Sequence, residues 1–435
     1  MIGVPQILIG LALMLGLMFL GLHVATAMFV PAIVAALWYF GMPAINAVGA
    51  QLWTAGEDYL LLCIPLYILL GEILVRGGAA DKMYLSLSDW LGRLPGGLLH
   101  TNIGASALFS AVSGSSVATA ATIATVALPA FRTRSYDQRM VLGSIAAGGS
   151  LGNLIPPGVA FIIYGSMTNT SAGQLYVAAM IPGAVMAALF ILTILLLCLW
   201  RPSLAGEAEP AVPLREKLAR SVHLAGPLLV FVVVMGSIYT GWATVTESAA
   251  LGVIVVLPIA ALYGKLSIAM LHDCFRSTIR LTAMTALILI AALYLNFVLA
   301  LLGVPQSLAS LVKGLNVSPL VLLWVLAGLY IVLGIFLETL PMLVGTVPVV
   351  FPIIAAAGID PVFFGVFVVL MCELSLLSPP IGMTLYVIQG VRGEGSIKEV
   401  FEGTVPFLVS MVVMTALLIH FPELATYLPE KMYAK

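Results

Sequence analysis

Two polar runs interrupt otherwise apolar sequence in the first half of the chain. They are Ser113-Gly114-Ser115-Ser116 and Gly149-Ser150-Leu151-Gly152-Asn153-Leu154-Ile155-Pro156-Pro157-Gly158. A glycine that permits a turn, set among hydroxyl and carbonyl oxygens, suits coordination of a hard monovalent cation such as Na⁺. A second pair follows later. Gly334-Ile335-Phe336-Leu337-Glu338-Thr339 leads through Pro341 to Gly345-Thr346-Val347-Pro348, and Ser375-Leu376-Leu377-Ser378-Pro379-Pro380-Ile381-Gly382-Met383-Thr384 faces it. The alternative is that Ser, Thr and Gly simply let membrane helices approach closely. That alternative suits Thr122 and Thr125; residues 113–116, paired with a break at 153–158, read as a site.

Among the acids, Glu338 is the sharpest, because a carboxylate deep in an apolar stretch is costly and usually functional. An ion ligand, a proton carrier and a helix-end cap are all compatible with its position. Glu373 carries less weight. Glu72 and Glu247 are also embedded, and Glu247, following Gly241-Trp242-Ala243-Thr244-Val245-Thr246, reads as capping a helix start. Four single cysteines and five scattered histidines form no metal or redox spacing. An intramembrane enzyme would need paired acids or a Ser/His couple on facing helices, and the histidines lie away from the breaks. The chain is therefore not expected to be an enzyme.

The elements that must position these residues follow from composition. Of 435 residues, 62% are hydrophobic and 9% charged, with a net charge of −1 and a mean hydropathy of +1.15. A water-soluble domain carries about 25% charged residues, so a soluble fold is excluded, as are a disordered chain and a nucleic-acid binder. The first apolar run lacks the basic flank of a secretory signal and reads as a retained span. Simple spans are expected at 5–22, 24–41, 57–75, 177–200, 224–240, 247–263, 281–300 and 403–422, each near the roughly 20 residues that cross a bilayer. Segments 98–131 and 321–352 are rich in turn formers and should fold back as hairpins. Segments 140–170 and 361–390 carry double prolines that interrupt a helix.

An internal repeat organises all of this. Pro156-Pro157 returns as Pro379-Pro380 (379 − 156 = 223), and the same offset relates Pro129 to Pro352 and Asp137 to Asp360. The halves join near 201–222, the one clearly polar stretch. With both hairpins returning to their starting side, each half crosses an odd number of times, so the second half is inverted. Fifteen of the 18 basic residues then fall on one face, which makes that face cytoplasmic and both termini periplasmic. Residues 83–94 and 301–320 read as helices lying along the membrane surface, against the plainer alternative of connecting loops. The fold class is thus an all-α polytopic membrane protein with an inverted repeat, two re-entrant hairpins and two discontinuous helices.

Four motifs, in this order and spacing, carry a family resemblance over essentially the whole length. They are Ser113-Gly114-Ser115-Ser116-Val117-Ala118-Thr119-Ala120, Leu154-Ile155-Pro156-Pro157, Gly241-Trp242-Ala243-Thr244 and Ser378-Pro379-Pro380-Ile381-Gly382. The chain resembles the large membrane subunit of tripartite ATP-independent periplasmic (TRAP) transporters. The resemblance implies an elevator-type secondary transporter of the bacterial inner membrane, driven by Na⁺ and needing no other cofactor. It also implies a small membrane subunit, a periplasmic substrate-binding protein and a small carboxylate substrate as partners. Within the chain it implies scaffold parts at 1–97 and 224–320, transport parts at 98–200 and 321–435, and a cytoplasmic linker at 201–223. By residue, one Na⁺ site falls at Ser113, Gly114, Ser115 and Ser116 with Gly152, Asn153 and Pro156. The other falls at Gly334, Glu338 and Thr339 with Ser378, Pro379 and Gly382. Substrate is then expected between the tips, at Ser116, Thr119, Gly158, Gly345, Thr346 and Thr384. Gly158, Asn153, Glu338 and Val245 depart from the family's usual residues. A stand-alone dicarboxylate or arsenite carrier of the same superfamily is the alternative.

Overall fold

A computed structural model of the chain describes residues 4–206, 212–314, 317–380 and 382–433. Among them every regular element is a helix. The expected simple spans correspond to Val4–Phe19, Val24–Phe40, Tyr59–Arg76, Ala172–Trp200, Val222–Tyr239, Val245–Leu262, Ile268–Leu301 and Ile397–His420. Seven of the described helices are long and apolar enough to cross a membrane, one of them the hairpin arm Thr339–Ala356.

Each hairpin is a pair of helices joined by a short turn. The first consists of Leu98–Ser113 and Ser116–Phe131, arms of 16 residues each. At 1.5 Å per residue each arm reaches about 24 Å, short of the roughly 30 Å core. The chain reverses at Gly114, whose φ of 59° is left-handed, and Ser115 caps the returning arm. Both ends of the hairpin meet at Tyr136. Its hydroxyl accepts from the Leu98 backbone N–H at 3.2 Å, and its ring stands edge-on to Phe131 at 4.9 Å. The hairpin therefore returns to the side it left. The second hairpin, Pro319–Gly334 and Thr339–Ala356, is tied across its arms by the Tyr330 and Thr346 hydroxyls, 2.8 Å apart.

The interrupted helices also match. Gln138–Gly149 and Val159–Thr168 flank the first break, Pro361–Leu377 and Met383–Arg392 the second. Residues related by 223 positions do the same work. Asp137 and Asp360 each cap their helix with a side-chain oxygen. Pro129 and Pro352 each lie inside a returning arm, and Pro156-Pro157 and Pro379-Pro380 are both cis. The halves interlock crosswise: Ser116–Phe131 packs on Met383–Arg392, and Thr339–Ala356 packs on Val159–Thr168.

Between the expected spans 24–41 and 57–75 lies a further helix, Met42–Glu57, opened by Gly41 and Pro43 and ended at Asp58, which caps the next turn. The repeat explains it. Shifted by 223, these positions become 265–280, the start of the 34-residue helix Ile268–Leu301. That helix is about 51 Å long, so it begins outside the layer, with His272, Asp273, Arg276 and Arg280 on its first turns. Glu423–Tyr433 is a further helix beyond the last expected span. The two surface segments are helices at Ala79–Leu91 and Val304–Gly314. The linker helix Leu214–Arg220 docks on the first of these: Arg220 reaches Asp89 at 3.2 Å, and Trp90 Nε1 donates to Ser221 Oγ, just past the helix, at 2.9 Å. The side chains of Leu308, Leu311, Val312 and Lys313 lie outside the described residues, as do Leu315, Ile381 and the linker at 207–211.

The tightest crossing is between Gln138–Gly149 and Ile397–His420, where Gly143 and Gly403 meet backbone to backbone. A methyl group at Gly143 would overlap the Gly403 carbonyl. Gly143→Ala should therefore cost about 1–3 kcal/mol and lower the Tm of the purified protein. Gly390→Ala, where nothing lies within 4 Å, should leave it unchanged or raised.

Candidate functional site

The first hairpin tip and the first break close on each other through backbone. Val159 N–H donates to the Gly114 carbonyl at 3.2 Å. A side chain at Gly114 would overlap the Pro157 carbonyl, and one at Gly152 would overlap the backbone of Ser115 and Ser116. Glycine is required at both because two chains cross there without room for a Cβ. Within the tip, Ser113 Oγ and Thr119 Oγ1 are 3.0 Å apart, and Thr119 Oγ1 donates to the Ser115 carbonyl at 2.8 Å. Gly158 folds over the Asn153 carbonyl, and Pro156 lies in the break between them. The structure thus gathers Ser113, Gly114, Ser115, Ser116, Gly152, Asn153 and Pro156 into one place.

A residue from the opposite repeat completes this cluster. Ser116 Oγ donates to Glu373 Oε2 at 2.6 Å and accepts from both the backbone N–H and the Nδ2 of Asn153, each at 3.1 Å. Asn153 Nδ2 also donates to Glu373 Oε1 at 2.9 Å. Glu373 is 0% exposed. Sequence reading gave it little weight; its one local signal is a carboxylate five positions before Ser378, inside an apolar run.

The second tip holds unpartnered oxygen. Gly334 packs directly on Ser375, with no space for a Cβ. Glu338 stands at the N-cap of Thr339–Ala356, yet its side chain caps nothing. Among the described residues it makes no hydrogen bond and no ion pair, so of the three roles compatible with its position the cap is not the one it performs. Thr339 Oγ1 beside it is buried without a partner. Facing them, Ser378 Oγ donates to the Leu374 carbonyl at 2.8 Å and Gly382 N–H to the Ser378 carbonyl at 3.0 Å. Pro379 lies between them in the break. The second tip thus carries an acid and an orphan hydroxyl on adjacent residues, the oxygen chemistry a hard cation favours.

The residues expected to hold substrate divide between the two tips. Ser116, Thr119 and Gly158 belong to the first, Gly345 and Thr346 to the second hairpin, and Thr384 to the second broken helix. Thr384 Oγ1 donates to the Leu376 carbonyl at 2.5 Å and Thr346 Oγ1 to the Met342 carbonyl at 2.6 Å. A methyl group at Gly345 would meet Met28 Cε at 3.6 Å, beyond its own helix. Of the other embedded acids, Glu72 pairs with Arg76 at 2.9 Å. Glu247 forms a reciprocal capping box with Thr244, the role its position suggested.

Two matched halves, each closing a re-entrant hairpin on an interrupted helix in a multi-pass helical protein, define a secondary-transporter architecture. The family model "Tripartite ATP-independent periplasmic transporter, DctM component" matches residues 11–424, and the chain belongs to that family as a large membrane subunit. It is 31% identical to the sialic acid TRAP transporter large permease protein SiaM of Vibrio cholerae, over 96% of each chain. It is 30% identical to the C4-dicarboxylate TRAP transporter large permease protein DctM of Pseudomonas aeruginosa, over 90% of this chain and 91% of that one. Identity to the 2,3-diketo-L-gulonate TRAP transporter large permease protein YiaN of Escherichia coli is 27%, over 96% and 97%. In fold it matches the crystal structure of the Alcanivorax borkumensis YdaH transporter with a TM-score of 0.63 at 16% identity, covering 89% of this chain and 90% of that one. The chain is a transport permease and not an enzyme.

Ser116 Oγ has its proton and both lone pairs engaged, so removing it takes the partner from Glu373 Oε2 and from the Asn153 backbone N–H. Ser116→Ala should cost about 1–3 kcal/mol of stability, read as a fall in Tm. Thr125→Ala, which loses only a bond to the Ala121 carbonyl on an exposed face, should stay within about 0.5 kcal/mol of wild type.

Proposed function

We propose that this permease couples the inward Na⁺ gradient to import of a small organic acid, delivered by a periplasmic substrate-binding protein and completed by a small membrane subunit. The observation that carries the Na⁺ reading is the second tip, where Glu338 and Thr339 present side-chain oxygen without a partner among the described residues. The first tip, closed on residues 152–158, supplies a second oxygen-lined place for a cation. A carboxylate substrate is supported by the relatives' names, since sialic acid, C4-dicarboxylate and 2,3-diketo-L-gulonate are all acids. The same names favour the tripartite reading over a stand-alone carrier.

Movement is the remaining part of the proposal. The returning arms and the second halves of the broken helices pack crosswise, which joins residues 98–200 to 321–435 as a body that can travel past the scaffold of 1–97 and 224–320. Substrate between the tips would be carried with that body, giving alternating access of the elevator kind. Opened helix N-termini offer N–H donors and partial positive charge to a carboxylate, while the C-terminal ends offer carbonyls to Na⁺. In this reading the Arg- and Lys-rich face, with the linker at 201–223, is cytoplasmic and both termini are periplasmic.

Proteoliposomes holding the complete transporter should accumulate the acid only under an inward Na⁺ gradient; uptake indifferent to the gradient would contradict coupling. Glu338→Ala should raise the Na⁺ concentration for half-maximal uptake at least tenfold, about 1.4 kcal/mol, while expression falls less than twofold. Equal loss of expression and uptake would mean a folding role instead.

A further inference from the structure

The two acids near the tips are not related by the repeat. Position 338 corresponds to 115 in the first half, and 373 to 150, where the chain has Ser115 and Ser150. The equivalence is structural as well, since Ser115 and Glu338 are both N-cap residues of returning arms. The first repeat thus supplies no acid to its own tip. Its place is taken by Glu373, which comes across from the second repeat to Ser116 and Asn153. Each tip is left with one carboxylate, and both carboxylates come from the same half.

Glu373 also lacks a counter-charge. It is fully buried, its two donors are a neutral hydroxyl and a neutral amide, and no ion pair among the described residues includes it. A buried carboxylate with no cation nearby is strongly disfavoured. Among the described residues the protein offers none, but the adjacent tip and break, 113–116 with 152–156, form the oxygen-lined place assigned above to Na⁺.

We propose that Glu373 is the charge-balancing residue of the first-repeat cation site. It holds Ser116 and Asn153 in place and supplies, from the opposite repeat, the negative charge that neutralises a bound monovalent cation. The inference rests on the Na⁺-coupling reading and adds the residue that makes the first site selective for a charged occupant. It also makes the helix Pro361–Leu377 common to both sites, since its end carries Ser378 of the second.

A thermal-shift titration of the full chain in detergent, with Na⁺ replacing choline at constant ionic strength, tests this directly. In choline, Glu373→Gln should melt at or above wild type, because the amide is the neutral isostere of a side chain that has no cation to balance it. Its midpoint for stabilisation by Na⁺ should move at least tenfold upward. Glu373→Asp keeps the charge and should hold its midpoint within about threefold of wild type, which tests the proposal even where the Gln variant does not fold. A Gln variant less stable than wild type in choline would overturn the proposal in favour of a structural bond. So would a Gln variant with the wild-type Na⁺ midpoint, or an Asp variant shifted tenfold. A wild-type protein indifferent to Na⁺ would overturn the coupling reading itself, a result separable from all of these.

Discussion

A helix opened inside a hydrocarbon layer leaves carbonyl and N–H groups that lipid cannot satisfy, each at a cost of several kcal/mol. Much else in this protein answers that constraint. Each break is met by a hairpin tip, Gly114 against Pro157 in the first half and Gly334 against Ser375 in the second. Glycines 114, 152 and 334 occur where backbone must lie on backbone or on a short side chain. Where the protein's own groups satisfy the opened ends, as at Val159 N–H and the Gly114 carbonyl, the tip is closed. Where they do not, as at Glu338 and Thr339, oxygen is left over.

Duplication of one design with inversion then produces two such places facing each other, and the crosswise packing of arms on half-helices joins them. The symmetry is close in the backbone and broken in the chemistry. Capping aspartates and double prolines recur at one offset, while the acids do not. A backbone built twice can thus hold two niches whose charges are set independently, and here a single half provides both.

Much of the architecture is legible in the chain because its cues are local. Double prolines mark breaks, Ser-Gly-Ser-Ser marks a turn, and Thr244 with Glu247 announces a cap. Met42–Glu57 escaped because its polar residues lower its apolar signal below that of a span; only the repeat, through 265–280, gives it away. Glu373 escaped for a different reason. Its partners lie 257 and 220 positions away, and no local pattern encodes a hydrogen bond between inverted halves. Glu338 was prominent from its cost alone, but that it caps nothing is a property of geometry.

The most direct test is to see the cations. Maps of the protein determined by electron cryo-microscopy in saturating Na⁺ and in choline should differ at two points, one between residues 113–116 and 152–156, the other between 334–339 and 378–382. The account predicts density at both in Na⁺ and at neither in choline. Two bare niches in saturating Na⁺, or cation density only elsewhere in the chain, would contradict it.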